Sequence, residues 1–465
     1  MIPSAVLLAL LPCQEPAAHA AAELALVAEV SDERAAKRVR ELVALGPRMG
    51  GTASGAKAAD YLAEAFRAAG LEARVVEDPE TWCHEETGWK LAARAAPLEG
   101  EEEGPTRELA RAWPLGFSPS ARGTATLSTE AREGAALLEA RRSRRASGTT
   151  ALALELVDGM NTSEGDYPRA AHLRAGTDNP HPVFGISAAE GAALRGWLAE
   201  GRAVTIEYAL EAKIARARPR TTIATLPARE GAPPGYLLFC AHGDSDAGGP
   251  GANDNASGEA VVLEIAGAWA AAVKSGAVPA PAREVRFAIW GKEIHSTRAY
   301  LEERAPAEGE LLGVVNFDQA GFGSGAEQLN VEPDDLPANE GLVRVLIEVL
   351  REYAGEEGFP PRWATNKSLG GTDSYVFSGS ERFRAGGRPA VTVFTSAWGS
   401  PAEHPRTPGM PGESWSERDV VNVDYDAYYH SSGDTPANTT DKEPHNMGWC
   451  ARVALIGAAR WLERL

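Results

Sequence analysis

Short apolar runs alternate with longer amphipathic stretches beyond residue 220, and this alternation constrains the fold more than any other feature. Apolar runs of strand length and 3.6-residue periodicity predict strands and helices respectively. Buried strands connected through helices are typical of a sheet covered on both faces. We therefore predict an α/β fold, a three-layer sandwich with a mostly parallel central sheet. The predicted strands cover residues 222–226, 235–241, 284–290, 312–317 and 389–395, and the predicted helices cover 256–274, 340–354 and 446–465.

Two segments of different character precede this region. Residues 24–70 have helical spacing that a glycine-rich break interrupts at 46–51, and a strand is predicted at 71–76. Residues 114–215 are predicted to form a separate β-rich insert, with a helix at 188–199 and an exposed helix at 131–148. The predicted division is a leader (1–23), the N-terminal part of the main domain (24–113), the insert (114–215) and the remaining main domain (216–465).

The first residues indicate export. An apolar stretch at 5–11 followed by small residues is typical of an export signal, and Cys13 could carry a lipid anchor. No Lys or Arg precedes the stretch and Pro12 precedes the cysteine, so a plain N-terminal segment is the alternative. We expect a secreted, periplasmic or envelope-held protein. Its four cysteines are too few for a disulfide scaffold, although Cys83 and Cys450 could pair under oxidising conditions.

The charge balance argues against two classes of partner. The formal net charge is -19, from 65 acidic and 46 basic residues. Such a surface repels phosphate backbones and offers anionic lipids no basic patch, so we expect neither nucleic-acid nor membrane-surface binding. No run approaches the roughly 18 apolar residues that span a bilayer.

Polar side chains follow three of the predicted strands. His242 and Asp244 end the first, Glu293 follows the second and Asp318 follows the third. Ligands of open α/β sheets bind at the carboxyl ends of strands, so these side chains are expected to lie together. Asp244 is placed to orient the His242 ring, and Glu293 to act as a general base. Taken alone, each residue could equally be a solvated strand end.

Two loops add further candidates. Asp254 lies among small residues in the stretch GANDNASG (251–258), which could alternatively be a plain helix N-cap. His430 follows Tyr429 in the turn-rich stretch YHSSGDT (429–435), where a surface histidine is the ordinary interpretation. Mixed histidine and carboxylate ligation suits zinc, and a shared carboxylate suits two metals about 3.5–4 Å apart.

These motifs resemble the zinc aminopeptidase family that includes bacterial secreted aminopeptidases and carboxypeptidase Q. The segments that carry the resemblance are, in order, HGD, GANDNASGEAVVLEIA, FAIWGKE, NFD and YHSSGDT. The opening LVALGPRMGGTASG resembles the same family, and PVFGISAAEG in the insert resembles its protease-associated domain. The resemblance covers nearly the whole chain after the leader, and it implies a zinc-exopeptidase-like fold.

The resemblance also implies a role for each residue. His242 and Asp318 would hold one zinc, His430 would hold a second, and Asp254 would bridge the two. Asp244 would orient His242, Glu293 would be the general base, and Tyr429 would stabilise the oxyanion.

One position departs from the family pattern. The family has a second glutamate directly after the base, where this chain has Ile294, and isoleucine cannot bind a metal. Three hypotheses remain open at this point. His295 could replace the missing ligand, a single zinc could bind with Glu293 still acting as base, or the site could be non-catalytic.

The resemblance implies a zinc-dependent exopeptidase that hydrolyses short peptides at a free N-terminus. Two alternatives come from other classes. One is a binding protein that keeps the fold without catalysis, because a fold alone does not establish an activity. The other is a single-zinc enzyme similar to glutaminyl cyclase.

Overall fold

The structure is a computed structural model, and it describes residues 15–140, 151–159, 165–245, 248–323, 327–366, 371–379, 387–397 and 424–465. The leader up to residue 14, including Cys13, and the end of the predicted helix 131–148 lie outside these residues. The helices are α1 (Glu15–Val27), α2 (Asp32–Val43), α3 (Ala53–Ala68), α4 (Ala188–Ala199), α5 (Gly258–Lys274), α6 (His295–Ala299), α7 (Ala305–Glu308), α8 (Glu340–Tyr353), α9 (Ser374–Ser378) and α10 (His445–Arg464). The strands are β1 (Glu72–Glu77), β2 (Thr81–Ala95), β3 (Thr106–Glu108), β4 (Ala112–Pro114), β5 (Ala121–Ser128), β6 (Ala136–Glu139), β7 (Leu154–Val157), β8 (Val183–Ile186), β9 (Val204–Ala217), β10 (Arg220–Leu226), β11 (Tyr236–His242), β12 (Glu284–Trp290), β13 (Leu311–Phe317), β14 (Gln328–Glu332), β15 (Arg362–Thr365), β16 (Ala390–Phe394), β17 (Ser396–Ala397) and β18 (Asp424–Tyr425).

The main sheet has eight strands in the order β1-β10-β12-β11-β13-β16-β14-β15. Its four central strands, β12, β11, β13 and β16, run parallel. The strands β10 and β14 flank this parallel centre in antiparallel orientation. The carboxyl ends of the parallel strands therefore meet at one edge, which is where the predicted site residues lie.

Side chains of β11 show why the sheet is covered on both faces. Leu237 and Phe239 point into a large core that α2, α3, α5, α8 and α10 also build. The alternate residues Leu238 and Cys240 point to the opposite face, where they pack with Tyr300 and Phe377. Because successive side chains of a strand point to opposite faces, this all-apolar strand requires a layer on each side. The predicted α/β sandwich is confirmed.

Local signals set the ends of several helices. The Ser31 side chain accepts a hydrogen bond from Arg34 N at the start of α2. At the start of α4, Ser187 and Glu190 form a capping box. Such side chains satisfy backbone N–H groups that the first turn leaves without partners.

The second sheet is a separate unit between β1 and β10, with the strand order β3-β2-β9-β5-β6-β7-β8-β4. The strands β1 and β10 pair with each other in the main sheet, with Glu77 opposite Arg220. Asp78 N also donates to Pro219 O at 2.9 Å. The chain thus leaves the main sheet and returns to it at adjacent positions. The observed insert is therefore residues 81–217, the segment that builds this second sheet.

The predicted insert, 114–215, begins later than the second sheet does. The strand β2 starts at Thr81 and pairs along its whole length with β9. The strand β2 was not predicted because it contains charged residues, and both β2 and β9 are exposed over part of their length. The expected helix at 131–148 is wrong over its described part, which holds the buried strand β6. The short strands β14 and β15 were not predicted.

Within the described part of the chain, one helical stretch, Ala252–Lys274, has the length and hydropathy of a membrane span. It is a core element here, because 83% of its most apolar window is buried inside the fold. Cys83, Cys240 and Cys450 are buried free thiols, so Cys83 and Cys450 do not form the disulfide considered from the sequence.

Candidate metal centre

Three side chains meet at the carboxyl ends of the central parallel strands. His242 ends β11, Glu293 follows β12 and Asp318 follows β13. Each offers one ligand atom, and these atoms all lie within 4.8 Å of one another. His242 and Asp318 are buried, with relative exposures of 3% and 7%. The structure therefore brings together residues that are 76 positions apart in sequence, as the strand-end argument predicts.

His242 lies among three carboxylates. Its Nε2 is 3.3 Å from Asp254 Oδ1 and 3.5 Å from Asp318 Oδ1. Its Nδ1 is 3.0 Å from the backbone oxygen of Asp244 and 3.4 Å from the Oδ1 atom of the same residue. Burial lowers the pKa of His242, but Asp318, Asp244 and Asp254 outweigh burial and raise it well above its ordinary value. Asp244 thus holds the ring so that Nε2 faces the carboxylates.

Asp254 lies between the two predicted histidines. Its Oδ1 faces His242, and its Oδ2 is 2.9 Å from His430 Nε2. Burial raises the pKa of Asp254, but hydrogen bonds from His242 and His430 reverse that effect and lower it well below its ordinary value. A carboxylate with one oxygen toward each imidazole has the arrangement of a bridging ligand, so Asp254 and His430 lie where the sequence placed them.

The loop that carries Asp254 is fixed by polar contacts. Asp434 accepts hydrogen bonds from Asn253 N at 2.8 Å and Asp254 N at 3.0 Å. Asn253 Nδ2 in turn donates to Asp426 Oδ2 at 2.8 Å. Gly258 is required at the start of α5, because a Cβ there would lie 2.5 Å from Phe317 O. This close approach brings the loop of Asp254 against the end of β13, beside Asp318.

Glu293 sits in a strongly acidic environment. Burial raises the pKa of Glu293 well above its ordinary value. The charge of His242 lowers this pKa, and the negative charge of Asp318 raises it further. Its backbone N donates to Asp244 Oδ1 at 2.8 Å, so the residue that orients His242 also fixes the turn of Glu293. This pair of contacts ties the ends of β11 and β12 together.

Ile294 and His295 do not complete a second ligand set. Ile294 packs beside Tyr375 and Val376, and its φ of 59° is rare for a β-branched residue. His295 Nε2 lies 2.8 Å from Pro79 O, and His295 does not join the group of His242, Glu293 and Asp318. The geometry gives no support to the hypothesis that His295 replaces the missing glutamate.

Tyr429 lies directly against His430. The two rings stack with centroids 3.7 Å apart and an interplanar angle of 22°. This contact helps to define the orientation of His430. The role of the Tyr429 hydroxyl at a developing oxyanion stays a prediction.

Sequence reasoning missed Asp373. In sequence, the stretch GGTDS (370–374) has the pattern of a plain polar turn, yet Asp373 is fully buried beside Glu293. Its Oδ1 accepts hydrogen bonds from Ile294 N at 2.7 Å and from Thr297 Oγ1. Burial raises the pKa of Asp373 to about 6. The only available signal was an aspartate before an apolar stretch, and it gives no hint of a partner 79 positions away.

The insert borders the metal centre on the side of His430. Ala170 N donates to His430 O at 2.8 Å, and Ser432 N donates to Pro168 O at 3.1 Å. The Tyr167 ring packs against Tyr428 with centroids 5.9 Å apart. A segment of the insert therefore pairs with the loop that carries the second histidine.

The donor atoms at this site fit a zinc ion. Asp318 Oδ1 is buried and has no hydrogen-bond partner, and several carboxylates converge on one imidazole. Such a concentration of buried negative charge is costly without a cation. One imidazole nitrogen and carboxylate oxygens form a ligand set typical of zinc in hydrolases.

Comparison with known proteins agrees with this geometry. The profile of peptidase family M28 matches residues 221–455, which contain His242, Asp254, Glu293, Asp318 and His430. Over 121 residues the chain is 35% identical to an aminopeptidase of Pseudomonas aeruginosa, a match that covers 25% of this chain and 21% of that protein. Over 284 residues it is 27% identical to a probable lipoprotein aminopeptidase of Mycobacterium tuberculosis, covering 56% of this chain and 51% of that protein. The chain thus spans between 21% and 51% of the length of these two relatives.

Solved structures share the fold. A zinc aminopeptidase from Bacillus subtilis has a TM-score of 0.59 at 18% identity, covering 93% of this chain and 95% of that chain. A peptidase M28 precursor from Shewanella amazonensis has a TM-score of 0.61 at 17% identity, covering 96% of each chain. At these identities the likeness concerns the fold alone.

Proposed function

We propose that this chain, which belongs to peptidase family M28, is a zinc-dependent exopeptidase that removes residues from the free N-terminus of short peptides. The observation that carries the proposal is the cluster of His242, Glu293 and Asp318, with ligand atoms within 4.8 Å of one another. The names of the aminopeptidases from Pseudomonas and Mycobacterium support the same activity.

In this proposal the residues divide the work of peptide hydrolysis. His242, Asp254 and Asp318 would hold zinc, and Asp244 would keep the His242 ring in place. When bound, zinc supplies Lewis-acid stabilisation of the negative charge that develops on the scissile carbonyl oxygen. Glu293 takes a proton from the attacking water and gives it to the leaving amine.

We further propose that one zinc binds tightly. The ligand set around His242 is complete, whereas the second position offers His430 and the shared Asp254. Ile294 lacks a donor atom, and His295 is hydrogen-bonded to Pro79 O. Two protein ligands, one of them shared, hold zinc more weakly than the three or four that its sites normally contain.

We propose that the protein is exported and is then either secreted or held at the cell envelope. The apolar stretch at 5–11 and Cys13 support export, and the Mycobacterium relative is named as a probable lipoprotein. Replacing Cys13 with serine and fractionating the cells tests this proposal. If Cys13 carries a lipid anchor, the serine variant should appear in the soluble fraction while the wild-type protein stays in the membrane fraction. An unchanged distribution would count against anchoring at Cys13.

The activity is tested with matched peptides analysed by mass spectrometry. The zinc-loaded protein is incubated with a short peptide that has a free N-terminus and with the same peptide carrying an N-acetyl group. We expect stepwise loss of N-terminal residues from the first peptide and none from the second. Cleavage from the C-terminus, cleavage inside the acetylated peptide, or no hydrolysis of either would contradict the proposal.

A further inference from the structure

Glu332 is a fully buried carboxylate that the proposed mechanism does not use. It ends β14, and its relative exposure is 0%. Its Oε1 accepts a hydrogen bond from Tyr375 Oη at 3.1 Å, whereas its Oε2 is buried with no hydrogen-bond partner. Leaving a polar oxygen buried without a hydrogen-bond partner costs free energy, so a ligand group that pairs with this oxygen would be stabilising.

Several other buried carboxylates outside the metal centre have cationic or histidine partners. The pairs are Glu264 with Arg34 and Arg38, Asp78 with Arg304, Glu259 with Arg48, and Glu155 with His181. Glu332 has no ion pair within the described part of the chain. Burial raises the pKa of Glu332 well above its ordinary value, the Tyr375 hydroxyl lowers it, and Asp318 raises it again. The charged side chains that act on Glu332 are thus carboxylates, and no described residue places a balancing cation beside it.

The position of Glu332 connects it to the metal centre from two sides. In the sheet, Glu332 lies opposite Thr392, whose Oγ1 accepts a hydrogen bond from Asn316 Nδ2 at 3.3 Å. Asn316 precedes Asp318 by two positions. On the other side, the hydrogen-bond donor Tyr375 packs against Ile294, directly after Glu293. Glu332 therefore lies on the Asp318 side of the centre, two strands beyond β13 in the sheet, and it is linked through Tyr375 to the residue that follows Glu293.

A substrate can supply a balancing cation. A peptide whose first residue is held at the metal centre projects that residue's side chain away from the scissile carbonyl. Lysine and arginine side chains are long enough to carry a positive charge several ångströms from the backbone, and a cation beside a buried carboxylate favours its ionised form. Leucine has no such group and would leave Glu332 Oε2 without a partner.

We propose that Glu332 is a specificity-determining residue that selects peptides with lysine or arginine at the N-terminus. This inference rests on the proposed exopeptidase function and extends it to a class of substrate. The buried free oxygen of Glu332, its acidic surroundings and its link through Tyr375 to Ile294 carry it.

The test compares p-nitroanilides of arginine, lysine, leucine and citrulline, the last being a neutral analogue of arginine with a similar shape. We expect kcat/KM of the wild-type protein to be about ten- to a hundredfold higher for arginine than for citrulline, the range of one charge-assisted hydrogen bond. Glu332→Gln should remove most of this difference, leave leucine hydrolysis nearly unchanged and retain zinc. Glu303→Gln makes the same change at an exposed position outside the surroundings of Glu332 and should keep the preference.

The outcomes separate the inference from the proposed function. Equal hydrolysis of arginine and citrulline substrates by the wild type would overturn the role of Glu332, even if Glu332→Gln failed to fold. An equal loss on all substrates in Glu332→Gln, or a loss of zinc, would mean a structural or metal-binding role and would also overturn it. Leucine hydrolysis without a basic preference would leave the proposed exopeptidase intact. No hydrolysis of any substrate would reject the proposed function and this inference together.

Discussion

At the scale of single residues, a few side chains determine what this site can do. Asp254 has one oxygen toward His242 and the other toward His430, which is the arrangement expected of a carboxylate that bridges two metals. Ile294, where the family resemblance implies an acidic metal ligand, packs with Tyr375 and Val376. The proposed site therefore has a bridging carboxylate but lacks one donor atom for a second metal.

Glu293→Gln should lower kcat by about 100- to 10,000-fold, because an amide cannot accept the proton of the attacking water. Zinc content should not change, since His242, Asp254 and Asp318 remain. Steady-state kinetics and elemental analysis on the same preparation check both statements. Glu303→Gln, at an exposed position on the surface, is the matched control and should behave as the wild type. Retained activity in Glu293→Gln would exclude Glu293 as the base.

Ile294→Glu should raise the zinc content by about one ion per chain, because it supplies the carboxylate that would complete the second site beside His430 and Asp254. His295→Ala is the companion variant and should leave the zinc content unchanged, since the His295 ring is hydrogen-bonded to Pro79 O. Elemental analysis after dialysis against trace zinc measures both. Loss of zinc from the His295→Ala variant would support the hypothesis that His295 is a zinc ligand.

At the scale of elements, the sequence predicted the parts with strong periodicity. β12 was predicted at its observed bounds, and α5 and β11 to within two residues at either end. Short or charged strands were not predicted, because their sequence patterns do not differ from those of loops. Glu332 ends the short strand β14, and nothing in its sequence context shows that its carboxylate is buried. Contacts between distant segments, such as Asp373 with Ile294, are set by packing and leave no local trace.

Side-chain packing also holds the insert against the loop that carries His430. Tyr167 packs on Tyr428, and a Cβ at Gly433 would lie 2.6 Å from the Tyr167 ring. Tyr167→Ala should lower kcat/KM by about ten- to hundredfold, because a displaced His430 loop no longer positions Asp254. Tyr167→Phe keeps the ring and should retain nearly full activity. Equal activity of the alanine and wild-type proteins would show that the insert does not position this loop.

At the scale of the whole molecule, the sequence predicted the sandwich and the place of the site better than the limits of the insert. The fold class follows from apolar strands that must be covered on two faces, and the site follows from polar residues at their carboxyl ends. The limits depend on β1 pairing with β10 across the insert, which is a long-range contact. The similarity of the insert to a protease-associated domain stays a prediction.

Removing zinc should lower the stability of the whole main domain. Without a metal ion, Asp254, Asp318 and Glu293 converge on His242 as buried carboxyl groups that outnumber the imidazoles beside them. A site filled at about a hundred times its Kd contributes roughly 2.7 kcal/mol to the free energy of unfolding, so chelation should lower Tm by several degrees. Calorimetry before and after chelation measures the change, and added zinc should reverse it. An unchanged Tm would show that the cluster does not hold a tightly bound ion.

The central claim is a zinc centre with one tight position, built from His242, Asp254 and Asp318. The zinc content of the purified wild-type protein, measured by elemental analysis after dialysis against trace zinc, tests it most directly. We predict about one zinc per chain, because three ligands meet at this position and Ile294 interrupts the other. A content near two would contradict the single-site account, and a content near zero would contradict the metal centre itself.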